Sequence, residues 1–265
     1  MKSLSVGNVV SAGLKIYREN FKNYYYLAFI AALWSFVPIY GWAKCVANLG
    51  LISRLAFGEV TEKPKTLSEA RRYIKPRMWS FLGASLLVAL KLFLAYLGGA
   101  IVVAIFFGVI IGGLNAVSGT AGSIIAIPLV IIVLIAFIVY FIRMISRYFI
   151  FDLPLAVEDN VNASGSISRS VELTKGFLGN IQLIVFITGL ISFPLWGVAV
   201  VLQLIPEFIK NSGLAIPSSL VFIVSLIVSS ATSAFISPFW QTTKAVVYYD
   251  LRVRREGLGM ELRDK

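Results

Sequence analysis

The sequence predicts an all-α fold: a polytopic transmembrane helical bundle of about six membrane helices in three hairpins, with short amphipathic cytoplasmic helices. Three observations predict it. From residue 80 to residue 151 there is no acidic residue and there are only three basic ones, Lys91, Arg143 and Arg147. That stretch is long enough to cross a bilayer twice, and helices so apolar need lipid around them. Next, the 265 residues are 58% hydrophobic and 14% charged, with a mean hydropathy of +0.85, whereas soluble domains carry roughly a quarter charged residues. Finally, the net charge of +11 is gathered in short segments beside the apolar stretches, the pattern of a membrane protein facing an anionic leaflet.

Residues 5–22 read as an amphipathic helix. Val6, Val9, Val10, Leu14, Tyr17 and Phe21 fall on one stripe, opposite Asn8, Ser11, Lys15, Arg18 and Lys22. Such a helix either lies in the membrane interface or packs on the protein's own cytoplasmic side. Residues 1–20 hold no continuous apolar core and no cleavage site, so no cleavable signal is expected.

Residues 24–37 open on Tyr24, Tyr25 and Tyr26, an interfacial aromatic belt. Pro38 and Gly41 interrupt the apolar run, and residues 42–57 continue it with Lys44 and Arg54 inside. Two arrangements fit: a short helical hairpin, or one helix kinked at Pro38. Residues 59–77 carry six basic side chains, and Thr66 with Glu69 forms a capping-box pattern for a short helix ending near Pro76.

Residues 79–114 and 124–151 are long apolar spans joined by a small-residue turn at 115–123. Both exceed the hydrocarbon thickness at about 1.5 Å per residue, so they tilt or project into water. Residues 152–178 form a second polar segment, in which Ile167, Val171, Thr174 and Leu178 share a face opposite Arg169 and Glu172. A span follows at 181–205, then a turn at 206–217, the last span at 218–249 with Pro238 inside it, and a charged tail at 250–265. No linker divides the chain, so 1–265 reads as a single membrane domain: the amphipathic helix over 1–23, the bundle over 24–249 and the tail.

Orientation follows from counting Lys and Arg. There are four in the N-terminal segment, six in 59–77, two in 152–178 and six from Lys244 onward, against none in 115–123 and only Lys210 in 206–217. Positive charge stays inside. Both termini and both large polar segments are therefore expected in the cytoplasm, with the chain integral to a cell (inner) membrane or an internal one.

A pattern recurs three times: an amphipathic segment (5–22, 66–77, 166–178) precedes a pair of apolar stretches. Pro38, Lys44, Val46, Leu51 and Arg54 also reappear, 200 residues on, as Pro238, Lys244, Val246, Leu251 and Arg254. Internal repeats are common in transporter folds without implying transport.

Candidate chemistry is sparse. There is no histidine and one cysteine, Cys45, so an internal disulfide and a His/Cys zinc site are excluded. No cofactor or metal is expected, and the Cys45 thiol reads as packed and inert. Lys91 lies about twelve residues into its span with no carboxylate in a neighbouring span. It either meets a backbone carbonyl, a lipid phosphate or a transported anion, or snorkels to the interface. Arg143 and Arg147, four apart on one helical face, either clamp a phosphate or anchor the helix to lipid heads. Lys91, Arg143, Arg147 and Lys44 are thus the candidate anion and lipid-head contacts. Ser80 and Lys91 stand too far apart for a Ser–Lys catalytic pair, and the spans lack the carboxylates of a proton-coupled carrier.

Three segments, SVGNVVSAGLKIYRENFKNYY, AVEDNVNASGSISRSVELTKGFLGNI and TTKAVVYYDLRVRREG, occur in that order across most of the chain. Together they resemble the bacterial family named for the membrane region of glycerophosphoryl diester phosphodiesterases and its six-helix relatives of unknown function. The resemblance maps the middle motif onto Glu158, Ser170, Leu173 and Gly176, and the closing motif onto Tyr249, Asp250, Arg252, Arg254 and Gly257. It implies the membrane part alone, because the paired histidines of the soluble catalytic domain have no counterpart here. The expected function is that of a non-enzymatic integral membrane protein, a scaffold or accessory subunit in a membrane- or lipid-related process. Its expected partners are anionic membrane lipids and other membrane proteins, not nucleic acid. The alternative is a transporter or channel for an anionic or lipidic solute.

Overall fold

A computed structural model describes residues 5–118, 120–211 and 217–257. The described residues are all-helical, with no strand among them. Helix α1 (Val6–Glu19) starts at Ser5, whose Oγ accepts from the Asn8 N–H at 3.3 Å. Its apolar stripe turns inward: Val9, Val10 and Tyr17 are buried, while Lys15 and Arg18 stay exposed. Of the two placements that the sequence leaves open, α1 packs on the protein itself. It crosses the last helix at Gly13, where a Cβ would stand 2.8 Å from Thr243 Oγ1 and 3.0 Å from Thr243 Cα.

Helices α2 (Phe21–Trp34) and α3 (Tyr40–Val60) pack against each other across a five-residue turn. Pro38 therefore sits between two helices rather than at a kink in one. Ile39 adopts φ +58°, and the Trp42 indole N–H donates to the Ser35 carbonyl at 2.9 Å, which pins the reversal. Gly41 faces the Trp34 carbonyl with no room for a Cβ. At 14 residues α2 is about 21 Å long, short of a bilayer core. Helix α3 carries Lys44, Ser53 and Arg54.

The short helix α4 (Leu67–Ile74) begins with the expected capping box. Thr66 Oγ1 accepts from the Glu69 N–H at 3.3 Å, and Glu69 accepts from the Thr66 N–H at 3.0 Å. A 3₁₀ turn over Lys75–Arg77, with Pro76 in it, leads into α5 (Met78–Ser118). Helix α6 (Thr120–Arg147) follows; Gly119, inside the expected turn, lies outside the described residues. The polar middle segment folds as α7 (Asp152–Val157) and α8 (Ala163–Thr174). Helix α9 (Leu178–Asn211) runs past Pro206, so the expected turn at 206–217 is helical in its first half; residues 212–216 are not described. Helix α10 (Ser218–Glu256) takes in Pro238 and the start of the expected tail, whose residues 258–265 are not described.

The buried face of α8 differs in part from the expected one. Ile167 and Thr174 are buried, joined by Ser166, Ser170 and Leu173, whereas Val171 is half-buried and Leu178 opens α9. Small hydroxylated residues let α8 lie close to α6: Ser170 and Thr174 hydroxyls both donate to the Arg147 carbonyl, at 3.1 and 3.3 Å. An apolarity scan does not register serine used this way.

Among the described residues, four helices, α5, α6, α9 and α10, are long and apolar enough to cross a membrane. α2 and α3, the first two of the expected six, are not among them. α5 packs on α6, α6 on α9 and α9 on α10, while α3 touches both α5 and α10 and so bridges the row. Where α3 meets α5, Gly50 lies against the Phe81 ring.

The core occupies one end of this assembly. Tyr24, Leu27, Ile52, Phe81, Ile150, Leu155 and Tyr248 are fully buried there, each apolar side chain contributing about 1.5–3 kcal/mol by leaving water. The spans outside it are bare. None of the most apolar stretch of α5 is buried, and only 6% of that of α6, 17% of α10 and 24% of α9. The molecule thus has a packed head, built from α1–α4, α7, α8 and the projecting ends of the spans, and four apolar helices whose sides ask for lipid.

Candidate functional site

The head holds most of the chain's described ion pairs. Asp152, at the start of α7, is 5% exposed and takes the Lys244 ammonium on both carboxylate oxygens, at 3.3 and 3.4 Å. Ser53 Oγ lies 3.3 Å from Asp152 Oδ2 and 3.0 Å from Gln241 Oε1. Residues from α3, α7 and α10 therefore meet around one buried charge pair. Serine, lysine and aspartate stand side by side here, with Ser53 fully buried. The cluster acts as a rivet between three helices.

A second set of charges joins α8 to α10. Glu158 accepts from the Arg169 Nε at 3.3 Å and from the Tyr248 hydroxyl. Arg169 also pairs with Glu256, which in turn accepts from Arg252 at 2.7 Å. Burial alone would lower the Arg169 pKa, but Glu158 and Glu256 outweigh it and hold the guanidinium above its ordinary value. A third set ties the α4–α5 junction to the end of α7. The Arg77 guanidinium donates to the Glu158 carbonyl at 2.8 Å and pairs with Asp159 at 3.5 Å, while Arg54 stacks 3.4 Å from the Tyr73 ring and donates to the Ala156 carbonyl.

The motif residues of the sequence resemblance sit in this framework. Glu158 is one hub, Ser170 ties α8 to α6, and Leu173 is buried. Gly176 and Gly257 adopt φ +86° and +68°, values that suit glycine at the ends of α8 and α10. Arg254 pairs with Asp250 at 2.7 Å. The echo at a spacing of 200 does not translate into equivalent roles: Lys244 is half-buried and paired with a carboxylate, whereas Lys44 stacks over aromatic rings.

The four candidate anion contacts do not converge. Lys91 is exposed, 5.7 Å from the Tyr148 ring. Arg143 is exposed on α6, and Arg147 is half-buried with its backbone carbonyl engaged by α8. Lys44 stands apart from these three. Its ammonium lies 3.9 Å from the Trp34 ring and 4.8 Å from the Tyr40 ring, at the mouth of a groove of about 770 Å³ between the α2–α3 pair and the basic α4.

That groove is an open site with two unlike walls. Its polar wall carries Lys44, Arg71, Arg72 and Lys75, and no carboxylate lines it. Its floor is Ile30, Ala47, Leu51, Ile74 and Met78, with Trp34 and Tyr40 at one side. Sequence reasoning treated Arg71, Arg72 and Lys75 only as orientation charges. The missed signal is their placement on a short capped helix, where 71 and 75 fall one turn apart and 72 beside them. Comparison with protein-family models, with curated proteins and with solved structures gives no match to this chain.

Proposed function

We propose that this chain is a non-enzymatic integral membrane protein, a scaffold or accessory subunit in a membrane- or lipid-related process. The observation that carries this reading is the division of labour within the fold. Charged groups in the head are used against one another to fasten helices, as at Asp152–Lys244 and Glu158–Arg169–Glu256, while the four long helices keep their apolar sides uncovered. A rigid head carrying bare spans suits holding a position in lipid and presenting helix surfaces to other membrane proteins.

In this reading the membrane is a cell inner membrane and both termini face the cytoplasm, as the distribution of Lys and Arg favours. The pair α2–α3 completes the six-helix, three-hairpin arrangement as a hairpin entering from the head side and returning to it. Its turn exposes Phe36, Val37, Ile39 and Trp42, a tip suited to lipid. A chain with four full crossings and one returning hairpin keeps its ends on one side. The relationship to the membrane region of glycerophosphoryl diester phosphodiesterases belongs to the same proposal. It rests on the three sequence segments that carry the resemblance.

The test is purification of the full chain from membranes in mild detergent, followed by identification of co-purifying proteins and by solute-flux measurements on vesicles containing the purified chain. A reproducible membrane-protein partner without flux is the expected outcome. Movement of an anion or a lipid by the chain alone would replace the scaffold with a transporter.

A further inference from the structure

We infer that the groove between the α2–α3 pair and α4 is a binding site for an anionic phospholipid of the surrounding bilayer. Its phosphate would be held by Lys44, Arg71, Arg72 and Lys75, and an acyl chain would lie along the apolar floor. The inference rests on the membrane reading above and assigns a ligand to one site within it.

Charge comes first. Four cations line one groove, and among the described residues none of the four is in an ion pair. Elsewhere in the head Arg77, Arg169, Lys244 and Arg252 each have a carboxylate partner, and the buried Arg54 is held instead by the Tyr73 ring and the Ala156 carbonyl. Four like charges close together repel one another and are stabilised by an anion from outside the chain. Arginine forks suit phosphate oxygens, and lysine adds a point charge.

Shape comes second. A free phosphate needs no apolar floor, yet Ile30, Leu51 and Met78 line this groove. A molecule with an anionic head and a hydrocarbon tail matches both walls. The indole and phenol rings of Trp34 and Tyr40 flank Lys44, the amphipathic arrangement of a membrane interface.

Location comes third. The groove adjoins the α2–α3 turn, where Phe36, Val37, Ile39 and Trp42 are exposed side by side. Once that tip enters lipid, the cations behind it stand at head-group level. A basic side chain near an anionic leaflet gains about a factor of five in affinity.

The experiment uses the full chain in detergent, with retained lipid counted by native mass spectrometry. Three probes are offered separately: phosphatidylglycerol, phosphatidylcholine and inorganic phosphate. The wild type is expected to retain phosphatidylglycerol at least about tenfold better than phosphatidylcholine, with no competition from millimolar phosphate. The variant K44Q/R71Q/R72Q/K75Q is expected to lose that preference, and R143Q/R147Q to keep it. Equal retention by the quadruple variant, equal binding of phosphatidylcholine, or displacement by phosphate overturns the assignment. Should the quadruple variant not fold, R72Q/K75Q, two exposed side chains, carries the same test with a smaller loss. Recovery of the wild type from the membrane fraction is scored in parallel. A chain found in the soluble fraction refutes the membrane reading, whereas a membrane-bound chain without lipid preference refutes only the groove.

Discussion

Replacing Lys244 by methionine tests whether the Asp152–Lys244 pair fastens the head. Methionine keeps most of the stem and removes the ammonium. The Asp152 side chain is only 7% exposed and that of Lys244 15%, so water cannot take the cation's place without opening the junction of α3, α7 and α10. Stranding one member of such a pair costs about 3–5 kcal/mol. For a chain of this size each kcal/mol lowers the midpoint by roughly 2–4 °C, so the loss falls between about 6 and 20 °C. The assay is helical circular dichroism against temperature in one detergent, with wild type, K244M, D152L and D152L/K244M run together. Both single variants should fall by that amount, and the double variant should recover most of it, because nothing charged is then left buried. If K244M melts within about 2 °C of wild type, or if the double variant is as unstable as the two losses added, the pair is not the rivet described.

Two further outcomes follow from the packing. Gly50→Ala places a methyl 2.5 Å from Phe81 Cε1, and should cost about 1–3 kcal/mol by forcing α3 and α5 apart; adding Phe81→Leu should return part of the loss, read from the same melting curves. Tyr17 donates its hydroxyl to the Phe235 carbonyl at 2.9 Å, and burial, with Tyr25 adding, pushes its pKa up to about 12. A raised value favours the protonated form in the fold, so its contribution is complete below pH about 10 and is lost as pH rises towards about 12. Absorbance of tyrosinate on alkaline titration should show one fewer late-ionising group in Tyr17→Phe than in wild type, where Tyr73 also has a raised pKa.

Much of the fold is legible in the sequence because it depends on local rules. The capping box at Thr66 and Glu69, the amphipathic stripe of α1 and the apolar, acid-free run before Asp152 each act through local sequence, and each appears where the sequence puts it. What is not legible depends on partners far apart in the chain. Asp152 and Lys244 are separated by 92 residues and Arg169 and Glu256 by 87. Neither pair has a sequence signature, and the residues from Asp250 onward read only as a charged tail. Arg252 and Glu256 do pair within α10, but Glu256 also reaches across to Arg169. The length of α9 was underestimated because Pro206 reads as a breaker, although the chain stays helical to Asn211. Of the four candidate site residues, Lys44 lies in the groove because its helix faces α4; Lys91, Arg143 and Arg147 sit on other surfaces.

The excess of positive charge also acquires a structural meaning. A net charge of +11 cannot be neutralised inside the chain. The fold sets carboxylates against Lys244 and Arg169, meets the buried Arg54 with the Tyr73 ring and the Ala156 carbonyl, and leaves no carboxylate in the groove that holds Lys44, Arg71, Arg72 and Lys75. Pairing in the head and surplus in the groove are two consequences of one distribution. Moving a carboxylate into the groove, as in Asn48→Asp on its α3 wall, should therefore leave the melting of the head nearly unchanged while reducing retention of anionic lipid. A variant that lost both together would mean that the groove's cations serve the fold rather than a ligand.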